Sequence, residues 1–213
     1  MTFDQTALFL DLDGTLAEFE TDPRSVGPVE RRTRLLRELG VALDGRLAVI
    51  SGRELSDLDR ILDGVVPALA GVHGLERRDA GFELHAEPVA PGLDAAAAEA
   101  EAFARNRDGV LVERKRGALA LHTRAAPEHE DDALALARRL ADRHRLHLQP
   151  GARVAEIRTP GLSKGDAIRA FLSEPPFLGA RPVFLGDDLT DEDGFEAVLA
   201  CGGLGVLVGP ARP

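Results

Sequence analysis

Two aspartates that could do chemistry together, Asp11 and Asp13, directly follow an apolar run in the segment ALFLDLDGTLAEFE. Carboxylates this close together repel each other unless a cation lies nearby or their pKa values rise. Oxygen donors without cysteine or histidine are typical of a hard divalent ion, and Mg²⁺ fits best. The segment therefore predicts part of a metal site, although an Asp-Gly step after a strand can also be only a turn.

Further polar groups follow other apolar runs or begin predicted helices: Ser51, Gly52, Lys164, Asp187, Asp188 and Asp191. In a parallel sheet, such groups converge at the carboxyl ends of the strands. An ammonium, a hydroxyl, helix N-terminal amides and a metal together form a phosphate pocket. One aspartate can then attack phosphorus, and a second carboxyl two residues on can move the proton. Each group alone has an ordinary role, such as a helix cap, so the prediction rests on their joint occurrence.

A calcium-binding loop is a rival interpretation of the acidic segment FLGDDLTDEDGF. With Gly194 as the loop glycine, the first and twelfth ligand positions would fall on Leu189 and Ala200. Neither side chain can bind calcium, so the spacing disfavours this alternative.

Strand and helix patterns alternate in the first third of the chain and again near its end. The predicted elements there are strands at Ala7–Leu12, Arg46–Ile50, Ala68–Val72, Pro182–Leu185 and Gly205–Val208, and helices at Val29–Leu39 (stopped by Gly40), Glu54–Leu62, Lys164–Leu172 and Asp191–Leu199. The middle has strands at Phe82–Ala86, Gly109–Glu113, Ala118–His122 and Val154–Ile157, with helices at Leu93–Asn106 and Glu128–His144. We therefore predict an α/β protein with a doubly wound parallel-sheet core, residues 1–75 and 159–213, and an inserted α+β cap domain, residues 76–158.

The composition excludes several classes of partner. The 213 residues carry a net charge of −10 and no Trp or Tyr, which argues against a nucleic-acid partner. No apolar run approaches the roughly 20 residues of a membrane helix. The N-terminal MTFDQTALF lacks the pattern of a signal peptide, and a single cysteine excludes an internal disulfide. We expect a cytoplasmic monomer that acts on a small molecule.

The segments FLDLDGTLAEF, VISGR, SKGDAI and FLGDDLTDEDGF resemble the motifs of the haloacid-dehalogenase-like phosphatase superfamily. The resemblance spans the core from Ala7 to Phe195. It implies that Asp11 is the nucleophile and Asp13 the general acid and base. It also implies that Ser51, Gly52 and Lys164 hold the phosphoryl group. Mg²⁺ would be held by Asp11, the backbone carbonyl of Asp13 and Asp187, with Asp188 and Asp191 supporting the metal and its waters.

Within that superfamily, GVHGLERR, LVERKRGALALHTR and VAEIRTPGLSKG resemble the trehalose-6-phosphate phosphatase family. The resemblance implies that the substrate is a sugar phosphate and that the cap residues Glu113, Lys115 and Glu156 hold sugar hydroxyls. His73, His122 and Arg124 lie in matching motifs and are predicted to contribute to substrate binding. Glu113 and Lys115 share one face of a strand, which suits hydroxyls that both donate and accept, although an ordinary surface ion pair has the same pattern.

Three other functions remain open at this stage. A related sugar phosphatase could act on mannosyl-3-phosphoglycerate or sucrose phosphate, and a phosphomutase would return an isomerised product. A receiver-like phospho-aspartate switch also uses an acidic pocket with a lysine, but the large insert and the Asp-x-Asp pattern argue against it.

Overall fold

The computed structural model describes residues 5–18, 20 and 22–209. In chain order the strands and α-helices are β1 (Thr6–Leu10), α1 (Glu30–Ala42), β2 (Leu47–Ile50), α2 (Leu55–Leu62), β3 (Ala68–Gly71), β4 (Glu76–Arg78), β5 (Leu84–Ala86), α3 (Leu93–Ala104), β6 (Leu111–Lys115), β7 (Ala118–His122), α4 (Glu130–His144), β8 (His147–Gly151), β9 (Val154–Arg158), α5 (Lys164–Leu172), β10 (Arg181–Gly186), α6 (Glu192–Ala200) and β11 (Leu204–Leu207).

These elements form two compact units. The first contains the described residues up to Ala86 and from Leu162 onward, and the second is Glu87–Gly161. The sequence predicts a cap at 76–158, whereas the short hairpin β4–β5 pairs with β3 of the first unit's sheet. None of the helices in the described ranges is both long and apolar enough to cross a membrane.

The first unit contains a seven-stranded sheet in the order β11-β10-β1-β2-β3-β4-β5. The strands from β11 to β3 are parallel, and the hairpin β4–β5 adds an antiparallel edge. The chain leaves β1 toward β2 on one side and returns later to β10 on the other. The switch point of this topology therefore lies between β1 and β10, where doubly wound sheets form their binding crevice.

Alternate residues of β1 pack into two different core layers. Phe9 packs on the side of α5 and α6, where its ring centroid lies 5.5 Å from that of Phe177 and 6.1 Å from that of Phe171. Leu10 packs on the other side, with the apolar faces of α1 and α2. Because both faces of the sheet are covered, its central strands read as continuous apolar runs.

The second unit is an antiparallel four-stranded sheet in the order β6-β7-β9-β8 with two helices. Leu119 and Leu121 of β7 and Ile157 of β9 pack with α3 and α4 in one core. Val112 of β6 packs against the same core. Glu113 of β6 and Glu156 of β9, each next to a core residue on its strand, therefore point to the other face of the sheet.

The predicted fold class, an α/β core with a smaller α+β unit, is confirmed. The predicted end of helix α1 is wrong, and the strands β4 and β8 were not predicted. Helix α1 continues through Gly40 to Ala42, because one glycine costs a helix only about 1 kcal/mol. It ends before Asp44 and Gly45, which have positive φ, and the Gly45 N–H donates to the Gly40 carbonyl at 2.8 Å. Strand β4 is entirely charged, and β8 is an edge strand containing Pro150, so neither has an apolar pattern.

Candidate active site

Asp11 lies at the carboxyl end of the central strand β1, at the switch point of the sheet. Its backbone N–H donates to the Leu185 carbonyl of β10 at 2.9 Å, which extends the pairing of the two strands by one residue. Its side chain is 5% exposed, and one carboxylate oxygen accepts a hydrogen bond from Lys164 Nζ at 2.6 Å. Burial raises the pKa of Asp11 to about 7, although the positive charge of Lys164 opposes the rise.

Lys164 is the first residue of α5, and the start of this helix is fixed by a capping box. The Ser163 hydroxyl accepts from the Asp166 N–H, and the Asp166 carboxylate accepts from the Ser163 N–H at 3.0 Å. Lys164 Nζ contacts carboxylate oxygens of Asp11 and Asp191, both at 2.6 Å. Burial lowers the pKa of Lys164, but these two carboxylates outweigh it and hold the pKa above its ordinary value.

Close helix packing brings Lys164 to Asp191. A Cβ added at Gly165 would lie 2.3 Å from the Asp193 carbonyl, so a larger residue at this position would push α5 away from the start of α6. Asp191 is fully buried, and its second carboxylate oxygen accepts the N–H groups of Asp187 at 2.9 Å and Asp188 at 3.1 Å. Asp191 therefore fixes the loop after β10 while it also contacts Lys164.

The loops after β1 and β10 meet at Gly14. A Cβ at this position would lie 2.2 Å from an Asp187 carboxylate oxygen, and Gly14 has a φ of +94°. Only glycine suits both the conformation and the close approach. Asp188 has a different role, because its carboxylate accepts from the Thr190 N–H at 2.8 Å and caps the turn that leads into α6.

Three carboxylates at this crevice fit a divalent cation. One oxygen each of Asp11, Asp187 and Asp191 lies within 4.8 Å of the others. A donor set of carboxylate oxygens alone suits a hard ion. The family resemblance predicts Asp191 as a supporting group and the backbone carbonyl of Asp13 as a ligand; both assignments stay predictions.

The carboxylate of Asp13 lies in an ion pair of its own. Arg53 donates from Nε and Nη2 to its two oxygens, each at 2.7 Å. The same guanidinium donates from Nη1 to Asp57 at 2.7 Å. From the sequence, Arg53 is expected only as part of the VISGR motif, and Asp57 has no expected role. A signal for this contact was present in the sequence, because Arg53 and Asp57 have the i,i+4 spacing of a helical ion pair and directly follow a strand.

Ser51 and Gly52 form the turn after β2, and His73 lies against them. The Ser51 side chain is buried and its hydroxyl accepts the Arg53 N–H at 3.2 Å. A Cβ at Gly52 would lie 2.7 Å from His73 Nε2, so the buried imidazole packs directly on this turn. Val72 and His73 both have positive φ, at 47° and 55°, which is a costly conformation for a β-branched residue.

The second unit brings four of its predicted residues together on the sheet face away from α3 and α4. Glu113 of β6 and Glu156 of β9 both lie opposite Ala120 of the intervening strand β7. Lys115 Nζ is 3.0 Å from Glu156 Oε2, and His122 Nε2 is 2.8 Å from Glu113 Oε2. The hydrogen bond from His122 lowers the pKa of Glu113, and Lys115 adds to the effect.

This cluster is charged and only partly exposed, so it can offer both donors and acceptors to hydroxyl groups. Arg124 lies just beyond β7 and is exposed. The remaining predicted residues therefore divide between the two units, with His73 in the first and Arg124 in the second.

The fold and the acidic crevice define a class: this chain has the architecture of the haloacid-dehalogenase-like phosphoric monoester hydrolases. Two solved structures share the fold. A trehalose-6-phosphate phosphatase related protein has a TM-score of 0.81 at 23% identity, covering 97% of this chain and 87% of that one. A haloacid dehalogenase-like hydrolase from Bacteroides thetaiotaomicron has a TM-score of 0.60 at 15% identity, covering 90% and 85%.

Residues 9–210 match the family model described as trehalose-phosphatase, and the chain belongs to this family. The trehalose-6-phosphate phosphatase of Escherichia coli (strain K12) is 45% identical over 206 residues, which cover 95% of this chain and 77% of that protein. The resemblance to this family deduced from the sequence motifs is thereby confirmed.

Proposed function

We propose that this chain is a Mg²⁺-dependent phosphatase that hydrolyses trehalose 6-phosphate to trehalose and phosphate. The observation that carries the proposal is the buried Asp11 at the end of β1, held by Lys164 beside Asp187 and Asp191. The proposal is supported by membership of the trehalose-phosphatase family and by the similarity to the E. coli trehalose-6-phosphate phosphatase. No other function is favoured by a specific observation.

In the proposed reaction Asp11 is the nucleophile and Asp13 handles the proton. A carboxylate oxygen of Asp11 attacks phosphorus, and the bond from phosphorus to the sugar oxygen breaks. Asp13 gives its proton to the departing oxygen, which leaves as the sugar hydroxyl. In the second step Asp13 takes a proton from water, the water oxygen attacks the phosphorus of the aspartyl-phosphate, and Asp11 is released with inorganic phosphate.

Lys164 and the turn at Ser51 and Gly52 bind the oxygens of the phosphoryl group in this proposal. Lys164 is suited to the role because its ammonium stays charged while buried. Mg²⁺ would be held by Asp11, the carbonyl of Asp13 and Asp187, with Asp188 and Asp191 in support. When bound, it would offset the negative charge that develops on the phosphoryl oxygens.

Recognition of the sugar is assigned mainly to the second unit. The proposal gives Glu113, Lys115 and Glu156 the role of binding sugar hydroxyls. His122 and Arg124 of the same unit assist them, and so does His73 of the first unit. Its support is the polar cluster on one face of the β6-β7-β9 sheet, which contains two hydrogen-bonded pairs, Lys115 with Glu156 and His122 with Glu113. We also propose that the protein acts as a monomer in the cytoplasm.

A substrate panel tests this proposal. Phosphate release is measured from trehalose 6-phosphate, sucrose 6-phosphate, mannosyl-3-phosphoglycerate and glucose 6-phosphate, each with Mg²⁺ and with a chelator. We expect trehalose 6-phosphate to have the highest kcat/KM and the chelator to abolish turnover. A higher kcat/KM on another sugar phosphate would overturn the substrate assignment, and full activity in chelator would overturn the metal dependence.

A further inference from the structure

Arg53 binds the carboxylate of Asp13 in a planar, two-point ion pair. The Arg53 side chain is 10% exposed, and its guanidinium donates from Nε and Nη2 to the two oxygens of Asp13, both at 2.7 Å. A bidentate pair of this kind fixes the plane of the carboxylate as well as its position. The Asp13 side chain nevertheless remains 27% exposed, so the pair does not seal it from the crevice.

Arg53 is itself held at several points, so it can impose its geometry on Asp13. Its Nη1 donates to Asp57 at 2.7 Å, and Asp57 in turn accepts from Arg60 Nη2 at 2.5 Å. Its backbone N–H donates to the Ser51 hydroxyl at 3.2 Å, and its carbonyl accepts from the Val72 N–H at 2.9 Å. These contacts connect the orientation of Asp13 to β2, to α2 and to the turn after β3.

We propose that Arg53 is the positioning residue for Asp13, setting the orientation from which that carboxyl exchanges protons with the leaving sugar oxygen and with water. The inference rests on the proposed function, in which Asp13 is the general acid and base. Each oxygen of a carboxylate has two lone-pair sites, so each can accept from Arg53 and still carry or take a proton at its other site. Asp57 restricts the movement of the Arg53 guanidinium by accepting its hydrogen bond, and Arg60 in turn donates to Asp57.

The dependence on the leaving group distinguishes positioning from a structural role. A sugar alkoxide is a poor leaving group and needs the proton from Asp13, whereas p-nitrophenolate leaves without help. In Arg53→Ala, trehalose 6-phosphate turnover should fall roughly 10- to 100-fold, because proton transfer depends on orientation. In rapid-mixing experiments with p-nitrophenyl phosphate, the same variant should give a burst of about one p-nitrophenol per enzyme. The burst rate should stay within about threefold of wild type, and slow turnover should follow, because only the second step needs Asp13.

A double-mutant cycle then tests whether Arg53 acts through Asp13. Adding Arg53→Ala to Asp13→Asn should cause no further loss of trehalose 6-phosphate turnover, since no proton-transferring carboxyl remains to be positioned. Arg53→Lys should rescue only part of the loss, because an ammonium cannot make the two-point contact. The inference is overturned if the losses multiply, or if the burst rate falls by the same factor as trehalose 6-phosphate turnover.

The chain offers a matched control in Arg78, which binds Asp59 through two hydrogen bonds of 2.7 and 2.8 Å and is 15% exposed. Arg78→Ala should lower the free energy of unfolding without changing the ratio of the two substrate activities. A change in that ratio like that of Arg53→Ala would overturn the inference.

If Arg53→Ala does not fold, Asp57→Asn replaces it, because this variant removes one of the contacts that hold Arg53 and leaves Asp13 unchanged. It should reduce the two activities in the same pattern but by smaller factors; equal losses on both substrates would overturn the inference. If the wild type hydrolyses p-nitrophenyl phosphate but not trehalose 6-phosphate, the substrate assignment is refuted. The comparison of burst rates would still decide the role of Arg53.

Discussion

Lys164 supplies the positive charge that two buried carboxylates share, and its replacement by methionine is the sharpest test of the site's electrostatics. Methionine has a similar length but no charge, so Asp11 and Asp191 would face each other without the ammonium between them. Each contact of 2.6 Å corresponds to an attraction of about 6 kcal/mol at an effective dielectric constant of about 20. Most of this attraction offsets the cost of burying the charges. We therefore expect Lys164→Met to lower the free energy of unfolding by about 3–5 kcal/mol near pH 8.

The loss should depend on pH in a defined direction. Burial already raises the pKa of Asp11 to about 7, and removing Lys164 removes an influence that lowers it. The folded variant then binds more protons than the unfolded chain, whose carboxyls titrate near the ordinary value. Its stability must rise as the pH falls. Because the pKa of Asp11 is already about 7 in the wild type, the deficit relative to wild type should be largest well above pH 7, should shrink as the pH falls toward about 7, and should change little below it.

Urea unfolding followed by far-ultraviolet circular dichroism measures this effect, because the chain has no Trp or Tyr to serve as a fluorescent probe. All samples contain a chelator, so that a divalent ion does not replace the missing charge. Arg169→Met is the control, since it removes an exposed ion pair with Asp166 and should cost less than about 1 kcal/mol. A Lys164→Met protein within about 1 kcal/mol of wild type at pH 8 would refute the reasoning.

Three further predictions concern the core, the sugar and the metal. Phe171→Ala should cost about 3–5 kcal/mol of unfolding free energy because Phe171 is fully buried, whereas the exposed Phe82→Ala should cost less than about 1 kcal/mol; equal costs in urea unfolding would contradict this packing. Glu113→Ala and Lys115→Ala should each raise KM for trehalose 6-phosphate about 10-fold while sparing p-nitrophenyl phosphate, since one lost hydrogen bond to a charged group is worth about 1.5–3 kcal/mol; parallel losses on both substrates would argue against sugar recognition. Mg²⁺ at 100 times its Kd should stabilise the wild type by about 2.7 kcal/mol and leave Asp187→Asn nearly unaffected; a full Mg²⁺ response in that variant would remove Asp187 from the metal site.

Local patterns in the sequence predicted most of the fold, because buried strands and amphipathic helices have distinct periodicities. Strand β7 and helix α5 have the predicted bounds, and most other elements differ by a few residues. The charged strand β4 was missed because it has no apolar periodicity; its pairing with β3 and the ion pair between Arg78 and Asp59 are tertiary contacts that leave no periodic signal.

The candidate site was predictable to the extent that its residues follow strands or begin helices. Asp11 and Lys164 are 153 positions apart. They were nevertheless predicted to meet, because polar groups at strand ends and helix starts gather in the crevice at the carboxyl edge of a parallel sheet. The rule carries no information on which side chains pair within the crevice. The bidentate contact of Arg53 with Asp13 and the central position of Asp191 depend on rotamers and loop geometry, which the order of residues does not specify.

The identity of the nucleophile is the central claim, and trapping the phosphoryl group tests it most directly. Asp13→Asn should slow the second step, so the protein is mixed with p-nitrophenyl phosphate and Mg²⁺, quenched in acid, digested and examined by mass spectrometry. The account predicts that the peptide containing Asp11 gains the mass of one phosphoryl group, with the modification on Asp11 itself. A phosphoryl group on another residue, or an unmodified Asp11 peptide in a sample that has released a full burst of p-nitrophenol, would contradict it.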